Sequence, residues 1–229
     1  MSREVVGSMS EWSGVLKDLF RQIDDGSISL EQLQAFLEHR NPFFELVDSI
    51  KDWQGFYRDC FGIEMDFSDL KIPAERKGFD RLIIVAQGMT PQKLFDKCKE
   101  LFPSWKWTDE NLDEIVSSER TSKTGAYTVW FRNKTESTGS DEDLKNLSAG
   151  DLKKRNIYGT TLEERLLFEL KYFKETGKHL DIENITLCSG SCYPDGNIPG
   201  VNWHNGKLNV QWFHSGALFI SLRSRRAVL

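Results

Sequence analysis

The chain has 229 residues, which suits one large or two small domains. Hydrophobic residues make up 39% and charged residues 28%, values typical of a folded globular protein, so disorder is excluded for most of the chain. The net charge of −5 argues against general nucleic-acid binding, although no acidic residue follows Asp195 and the basic Lys207, Arg223, Arg225 and Arg226 do.

Neither a secretory signal nor a membrane span is expected. The start MSREVVGSMSEW has no apolar core of signal length, and no run approaches the roughly 18 apolar residues of a membrane helix. The four cysteines, Cys60, Cys98, Cys188 and Cys192, are too few for a disulfide-framed secreted fold of this size. We therefore predict reduced thiols in a cytoplasmic protein.

Two helices are predicted near the start of the chain. Apolar residues recur at helical spacing over 9–25, and Gly26 ends this helix. A capping box at 29–32 begins the second helix, which Asn41-Pro42 ends. The hairpin fits either plain core packing or a docking surface for another protein. The apolar residues expected to face inward are Trp12, Val15, Leu16, Leu19, Phe20 and Ile23, then Leu30, Leu33, Phe36 and Leu37.

The middle of the chain alternates between helical and strand patterns. Residues 43–62 favour a third helix, and 81–87 is rich in the β-branched residues of a buried strand. Thr90-Pro91 begins a helix that Pro103 ends. Short strands are predicted around Trp105 and Trp107 and over 125–132. We expect a small mixed sheet with helices on one side.

A polar stretch, 133–150, is typical of a linker or a long surface loop. Beyond it, a capping box at 161–164 begins a strong helix that Gly177 ends. Short strands follow at 185–188, 201–203, 208–212 and 218–225. These patterns predict an α+β fold with a helical and mixed region, 1–135, and a second domain, 136–229, whose first residues, 136–150, are a linker.

Few residues suggest catalysis. Cys188-Ser-Gly-Ser-Cys192 fits a metal, disulfide or redox pair, or simply a structural turn with two small buried thiols. His179 is either a base oriented by Asp181 or a helix-end residue that bonds backbone carbonyls. A small cytosolic enzyme, or a metal or thiol protein, using these four residues is one alternative. No nucleotide, zinc-protease or hydrolase motif is present, and we predict no metal and no cofactor.

The C-terminal tail has an alternation of a different kind. Around the turn at 204–207, apolar positions alternate with Asn, His, Ser, Gly or Phe, and alternate residues of a strand face opposite sides. From Asn197 to Ser221 only Lys207 is charged. Arg223 and Arg225 could face a nucleic acid or pin loops through buried hydrogen bonds, and their alternation favours pinning.

From Thr161 onward the chain resembles the C-terminal domain of the variable proteins made by diversity-generating retroelements. The whole chain more narrowly resembles proteins of candidate-phylum bacteria that end in the same way. The Gly-Gly-Ser-Trp and terminal Gly-Phe-Arg signatures of well-known members are absent. The blocks that carry the resemblance are TLEERLLFELKYFKETGKHLD, ITLCSGS, IPGVNW, LNVQWF and LRSRRAV.

This resemblance implies a C-type-lectin-like domain of the formylglycine-generating-enzyme type, without that enzyme's activity. In the family an error-prone reverse transcriptase alters positions near the 3′ end of the gene, and the altered patch binds a ligand. The implied function is non-enzymatic binding, with a protein as the ligand. The implied scaffold residues are Trp203, Trp212, Arg223 and Arg225, and the implied ligand contacts are Gly200, Asn202, His204, Asn205, Asn209, Phe213, His214, Phe219 and Ser221.

A third possibility is a regulatory nucleic-acid-binding protein that uses the N-terminal hairpin as a helix-turn-helix. The second predicted helix carries Glu31 and Glu38 and little positive charge, which disfavours contact with DNA phosphates. The sequence pattern does not predict the oligomeric state.

Overall fold

The computed structural model of the chain describes residues 9–37, 44–133 and 141–229. It divides into two compact units, Met1–Glu64 and Met65–Leu229. The boundary therefore lies far upstream of the one expected at 135/136. The reason is long-range strand pairing, because strands near residues 105 and 118 pair with strands beyond residue 190.

The first unit is helical, with α1 at Met9–Asp24, α2 at Leu30–Leu37 and α3 at Phe44–Phe61. The predicted helices are confirmed, while the expected end of α2 at Asn41-Pro42 lies outside the described residues. The apolar face of α1 does not face inward as expected, since Leu16 is 46% exposed and Phe20 65% exposed. By contrast, α3 buries Trp53 and Tyr57, whose ring centroids lie 5.8 Å apart.

The second unit begins its regular structure with a two-stranded antiparallel sheet. Strand β1 (Arg81–Val85) pairs with β4 (Tyr127–Phe131), and Ile83 lies opposite Val129 with both side chains fully buried. Helix α4 (Pro91–Leu101) follows β1, with Pro91 at a position where a missing N–H costs nothing. A short helix, α5 (Leu112–Ile115), leads into β3 (Ser117–Ser118).

A mixed five-stranded sheet forms the body of this unit, and its strands in spatial order are β2 (Ser104–Lys106), β8 (Lys207–Phe213), β7 (Ile198–His204), β5 (Ile185–Leu187) and β9 (Leu222–Ser224). The antiparallel pairs β8–β7 and β7–β5 lie at its centre, and the outer pairs β2–β8 and β5–β9 are parallel. The α+β class predicted from the sequence is thus confirmed. Outside this sheet, β6 (Ser191–Cys192) pairs with β3.

Part of the expected linker belongs to the fold. Residues 134–140 lie outside the described part, but a short 3-10 helix at Glu142–Leu144 and helix α6 (Ala149–Lys154) follow. Asp141 and Leu144 are each 2% exposed, and the Asp141 amide donates to the Ser224 carbonyl at 3.3 Å. This segment therefore packs along the edge strand β9 instead of connecting two domains.

Helix α7 (Leu162–Thr176) has both of its predicted ends. Thr161 and Glu164 form the reciprocal capping box, and Gly177 takes the left-handed conformation with φ 68°. The helix is buried along most of its length and contacts α4 and β1. Within the described residues, no helix is long and apolar enough to cross a membrane.

Candidate ligand-binding surface

The β7–β8 hairpin is built as the alternation in the sequence predicts. Its two-residue turn is Asn205-Gly206, with φ 52° and 71°, the positive values that this tight turn requires. Val201 lies opposite Val210 on one face of the sheet, and both are fully buried. Asn202 lies opposite Asn209 on the other face. One face of the hairpin is therefore core, and the other carries polar positions of the tail together with Ile198 and Phe213, which pack in a second apolar cluster.

Beneath the core face lies a buried ionic cluster that ties α7 to the sheet. Asp181 accepts from Arg165 Nε at 2.9 Å through one carboxylate oxygen and from Arg225 Nη2 at 2.9 Å through the other. Arg165 also donates to Glu169 at 2.8 Å, and the Thr186 hydroxyl donates to Asp181 at 2.5 Å. Every one of these side chains is at least 98% shielded from solvent. The cluster joins helix α7, the loop that holds Asp181, strand β5 and the segment after β9 at one point.

Electrostatics in this cluster favour the charged forms of Asp181 and Arg165. Burial alone would raise the pKa of Asp181, but Arg225 and Arg165 outweigh burial and lower it. Burial would likewise lower the pKa of Arg165, while Asp181 and Glu169 raise it. The pKa of Arg225 is lowered by burial and by its neighbour Arg165. Asp181 thus holds two guanidinium groups that would otherwise repel each other.

His179 and Trp203 form the second link between α7 and the hairpin. Their rings stack with centroids 3.3 Å apart, and the Phe173 ring stacks on His179 with centroids 4.9 Å apart. His179 Nδ1 lies 2.9 Å from a Glu169 oxygen, so the ring bonds a side chain and not the backbone carbonyls expected of a helix-end histidine. The Trp203 amide donates to the Asp181 carbonyl at 3.1 Å.

The two tail arginines are pinned inside the protein. Arg225 is 2% exposed and bonds Asp181, and Arg223 is 5% exposed and donates to Glu142 at 2.9 Å. Arg223 also donates to the carbonyl oxygens of Ile220 and Leu222. Both side chains therefore make loop-pinning contacts, and neither presents a guanidinium to a nucleic acid.

Trp212 differs from the buried frame residue that the alternation predicts. It lies on the same strand face as Val210 but at the end of β8, where it is 43% exposed and packs edge-on against His214 at 5.3 Å. The core ends before this position, so the indole reaches solvent. Trp212 therefore belongs to the exposed surface.

Three predicted contact residues are covered by the protein's own side chains. A Cβ at Gly200 would lie 2.3 Å from the Phe213 ring, so this ring occupies the space above the glycine. Asn209 donates to the carbonyls of His204 and Lys207, which closes the turn. Asn202 is also buried. Gly200 is thus a packing position, and the two asparagines expose little surface.

The remaining predicted contacts lie at the surface or near it. Asn205 occupies the hairpin turn, and Ser221 is half-buried at the end of the connection between β8 and β9. Phe213 is half-buried as well, because it covers Gly200 and packs with Ala217 against a small apolar cluster. The exposed members of the set are His204, Asn205, His214 and Phe219.

The connection between β8 and β9, residues 214–221, is the feature that the sequence reading missed. A strand was expected over 218–225, but the strand covers only Leu222–Ser224, and a loop precedes it. Three consecutive apolar side chains of this loop face solvent: Leu218 is 56% exposed, Phe219 55% and Ile220 79%. We call residues 214–221 the apolar loop. An uninterrupted apolar run beside the turn signal Ser215-Gly216 was the available clue.

The apolar loop is held in place by its backbone. The Ala217 amide donates to the His214 carbonyl at 2.8 Å, and the Leu222 amide donates to the Phe219 carbonyl at 2.9 Å. The Ser221 carbonyl accepts from the Ile185 amide at 2.9 Å, and Ser215 accepts from Gly150 in α6 at 3.3 Å. The exposed side chains therefore project from a tied loop.

The apolar loop continues into the open part of the sheet face. Phe219 packs edge-on against Phe213 at 6.1 Å, and Phe213 covers Gly200. Gln211 lies opposite Gly200 and donates to Asn202 at 3.0 Å. Beyond Asn209, the register places Trp105 of β2 on the same face; its indole is 44% exposed and lies 5.7 Å from the Lys207 amine. Trp105 and Gln211 were not among the predicted contacts.

The residues of the enzyme alternative do not meet at an open cleft. Asp181 and Cys188 are buried, and burial raises the pKa of the Cys188 thiol well above its ordinary value. His179 lies in the stack with Trp203, and Cys192 packs against the apolar cluster beneath α6. A buried thiol with a raised pKa is a poor nucleophile. This placement offers no support to catalysis by these residues.

The described residues contain neither a group of candidate metal ligands nor a disulfide. Among residues 9–37, 44–133 and 141–229, no three His, Cys, Asp or Glu side chains group as metal ligands would. The four cysteines all lie within these ranges, and no two of them form a disulfide.

Comparison with protein-family models, with curated proteins and with solved structures finds no match to the chain in any of the three.

Proposed function

We propose that this chain is a non-enzymatic binding protein that recognises a protein partner through the apolar loop and the adjoining open face of the β7–β8 hairpin. The proposal also holds that the part 136–229 is C-type-lectin-like and that its surface is of the kind diversified by a retroelement. It requires no cofactor. A cytoplasmic location remains part of the proposal, and four cysteines without a disulfide are compatible with it.

The observation that carries the proposal is the exposure of Leu218, Phe219 and Ile220 on a tied loop. Contiguous exposed apolar side chains are uncommon on monomeric proteins and mark interaction sites. The loop's backbone hydrogen bonds mean that a partner would meet these side chains already positioned, which lowers the entropic cost of association.

The surroundings of the loop favour a protein partner. Its centre is apolar and aromatic, and its margin carries His214, Ser215 and Gln211, which is the arrangement of a hydrophobic core with polar residues at its edge. Lys207 is the only charged residue from Asn197 to Ser221. A partner would therefore be recognised by shape, apolar contact and hydrogen bonds, with little long-range electrostatic steering.

The retroelement part of the proposal is supported by the division of the tail into buried apolar positions and exposed positions. The apolar positions Val201, Leu208 and Val210 are fully buried, whereas the His, Asn and Phe positions include the exposed residues of the hairpin and loop. Substitutions at the exposed set would alter the surface without disturbing the core. The frame of Arg165, Asp181 and Arg225 would hold that surface in place.

Sequence variation tests this division. The gene should be sequenced from many sister strains, together with its neighbourhood. We expect a reverse-transcriptase gene and a near-repeat of the tail-coding sequence nearby, with amino-acid differences concentrated at exposed tail positions such as Asn205, His214 and Phe219. Differences scattered evenly over 1–229, with no such gene nearby, would sink the retroelement part.

Binding is tested by site-specific cross-linking. A photoreactive benzoylphenylalanine replaces Phe219 in one protein and Glu100, an exposed residue of α4, in a control. After exposure to lysate of the source cells, we expect a protein that is cross-linked from position 219 and not from 100, and that binds the purified chain directly. Equal cross-linking from both positions, or no direct binding, would contradict the proposed surface.

A further inference from the structure

Helix α1 presents an exposed apolar stripe, which is separate from the surface described above. The stripe follows the spacing Trp12, Leu16, Leu19, Ile23, which is four, three and four residues. This is the seam spacing of helices that pack against a second helix. Val15, 62% exposed, and Phe20, 65% exposed, flank the seam on either side.

The described ion pairs of α1 lie on the side of the helix away from this stripe. Arg21 bonds Asp18 at 2.9 Å and Asp25 at 2.9 Å along the opposite side of the helix. Gln22 also donates to Asp18 at 2.7 Å. The seam and its two flanking positions therefore carry no charge among the described side chains.

We propose that the stripe is a homotypic interface, and that two copies of this chain associate through α1 with help from α2. An uncharged apolar surface is complementary to itself. An acidic or basic partner, or the headgroups of a lipid surface, would find no opposite charge along the seam. An identical copy brings the same neutral stripe and the same side-chain spacing, which lets the two helices interlock.

The area is sufficient for a stable dimer. Leu30 and Leu37 of α2 are 73% and 66% exposed, in addition to the side chains of α1. Together these apolar side chains expose on the order of 700 Å² per protomer, close to the roughly 800 Å² that each partner contributes to a standard interface. Two helices from each copy would build a four-helix arrangement, in which short helices that are marginal alone become stable.

Dimerisation would place two binding surfaces in one particle. A partner with repeated sites would then be held with an avidity greater than either single contact provides. The interface itself does not depend on the proposed function, because α1 lies outside the unit that carries the apolar loop.

The full-length protein tests the inference by sedimentation velocity over a range of concentrations. We expect a reversible dimer, with twice the 26.4 kDa mass of the chain. Leu16→Glu and, separately, Phe20→Glu place a charge on the stripe and should weaken association about 100-fold, which corresponds to about 2.7 kcal/mol. If either variant loses helix by circular dichroism, Leu16→Ala combined with Phe20→Ala removes apolar area while keeping strong helix formers.

Gly14→Glu is the matched control, because it adds the same side chain to the same helix away from the stripe. A Cβ at Gly14 would meet no atom within 4 Å. We expect this variant to dimerise like the original chain. A protein that stays monomeric at high concentration, dimers that persist in both Glu variants, or equal weakening by Gly14→Glu would each overturn the inference.

Discussion

Two neighbouring parts of the unit 65–229 distribute charge and apolar surface in opposite ways. The cluster of Arg165, Asp181 and Arg225 buries charges behind the sheet, whereas the apolar loop exposes Leu218, Phe219 and Ile220 in front of it. Burying charge is costly unless every group is paired, and exposing apolar side chains forgoes their burial. The buried charges hold the proposed binding surface in place, and the exposed apolar side chains form part of that surface.

The contrast shows how a small sheet can hold a surface that contributes little to folding. Buried ion pairs accept few alternative geometries, because a carboxylate between two guanidinium groups must sit where both can reach it. Asp181 thereby fixes the positions of α7, β5 and the segment after β9 relative to one another. The loop can then change its side chains while its backbone path remains set.

The largest expected effect is the loss of the central carboxylate. Asp181→Ala leaves Arg165 and Arg225 buried without their shared partner, which should lower the free energy of unfolding by about 3–5 kcal/mol. Urea denaturation measures this change. Glu100→Ala, which removes the exposed carboxylate that pairs with Lys97, is the control and should cost less than about 0.5 kcal/mol. Similar decreases in the free energy of unfolding in both variants would contradict the structural role assigned to the cluster.

A related effect should appear in the pH dependence of stability. Burial alone would raise the pKa of Asp181. The charges of Arg225 and Arg165 outweigh burial and lower this pKa below its ordinary value. Its stabilising contribution is therefore complete above pH about 4 and is lost as pH falls through its lower, folded-state pKa. Asp181→Asn should show a shallower loss of stability in acid than the original chain. Parallel curves for the two proteins would rule out this contribution.

A smaller effect on stability is expected at Gly200, where the Phe213 ring covers the glycine. Gly200→Ala places a methyl group 2.3 Å from the Phe213 ring, so the ring must move, at a cost of about 1–3 kcal/mol. Gly216→Ala, in open space on the apolar loop, is the control. Adding Phe213→Ala to Gly200→Ala removes the collision, so thermal unfolding should show that the two changes are not additive. Simple additivity would mean that the ring does not cover Gly200.

The smallest effect on stability should come from the apolar loop itself. Leu218→Ser combined with Ile220→Ser removes exposed apolar groups and should change the free energy of unfolding by less than about 0.5 kcal/mol. Binding to a partner identified by cross-linking from position 219 should nevertheless be lost. A large loss of stability instead would mean that these side chains pack within the fold, and the proposed surface would then be wrong.

Local signals explain most of what could be predicted about the helices and turns. The capping box of Thr161 and Glu164, the helix end at Gly177 and the turn at Asn205-Gly206 each depend on residues a few positions apart. Such features follow from hydrogen bonding and backbone sterics that a short stretch of sequence contains. The division of β7 and β8 into two faces follows in the same way from alternation.

Long-range pairing could not be predicted from the same signals. Nothing in the stretch around Trp105 indicates that β2 runs parallel to β8, about a hundred residues later, and this pairing moved the boundary between units. Asp141 appears in a polar stretch typical of a linker, yet it is buried beside Arg226, whose amide donates to it at 2.7 Å. Such contacts depend on which segments meet, and composition does not record that.

The sequence by itself determined the local elements: the amphipathic helices with their caps, and a C-terminal hairpin with one apolar and one polar face. Only the tertiary structure decided which polar residues are frame and which are surface. Asn209 and Phe213 share the strand and the alternation of other candidate contacts, but one closes the turn and the other covers Gly200. The exposure of a side chain is set by what packs over it, and the alternation along a strand does not specify which neighbour that is.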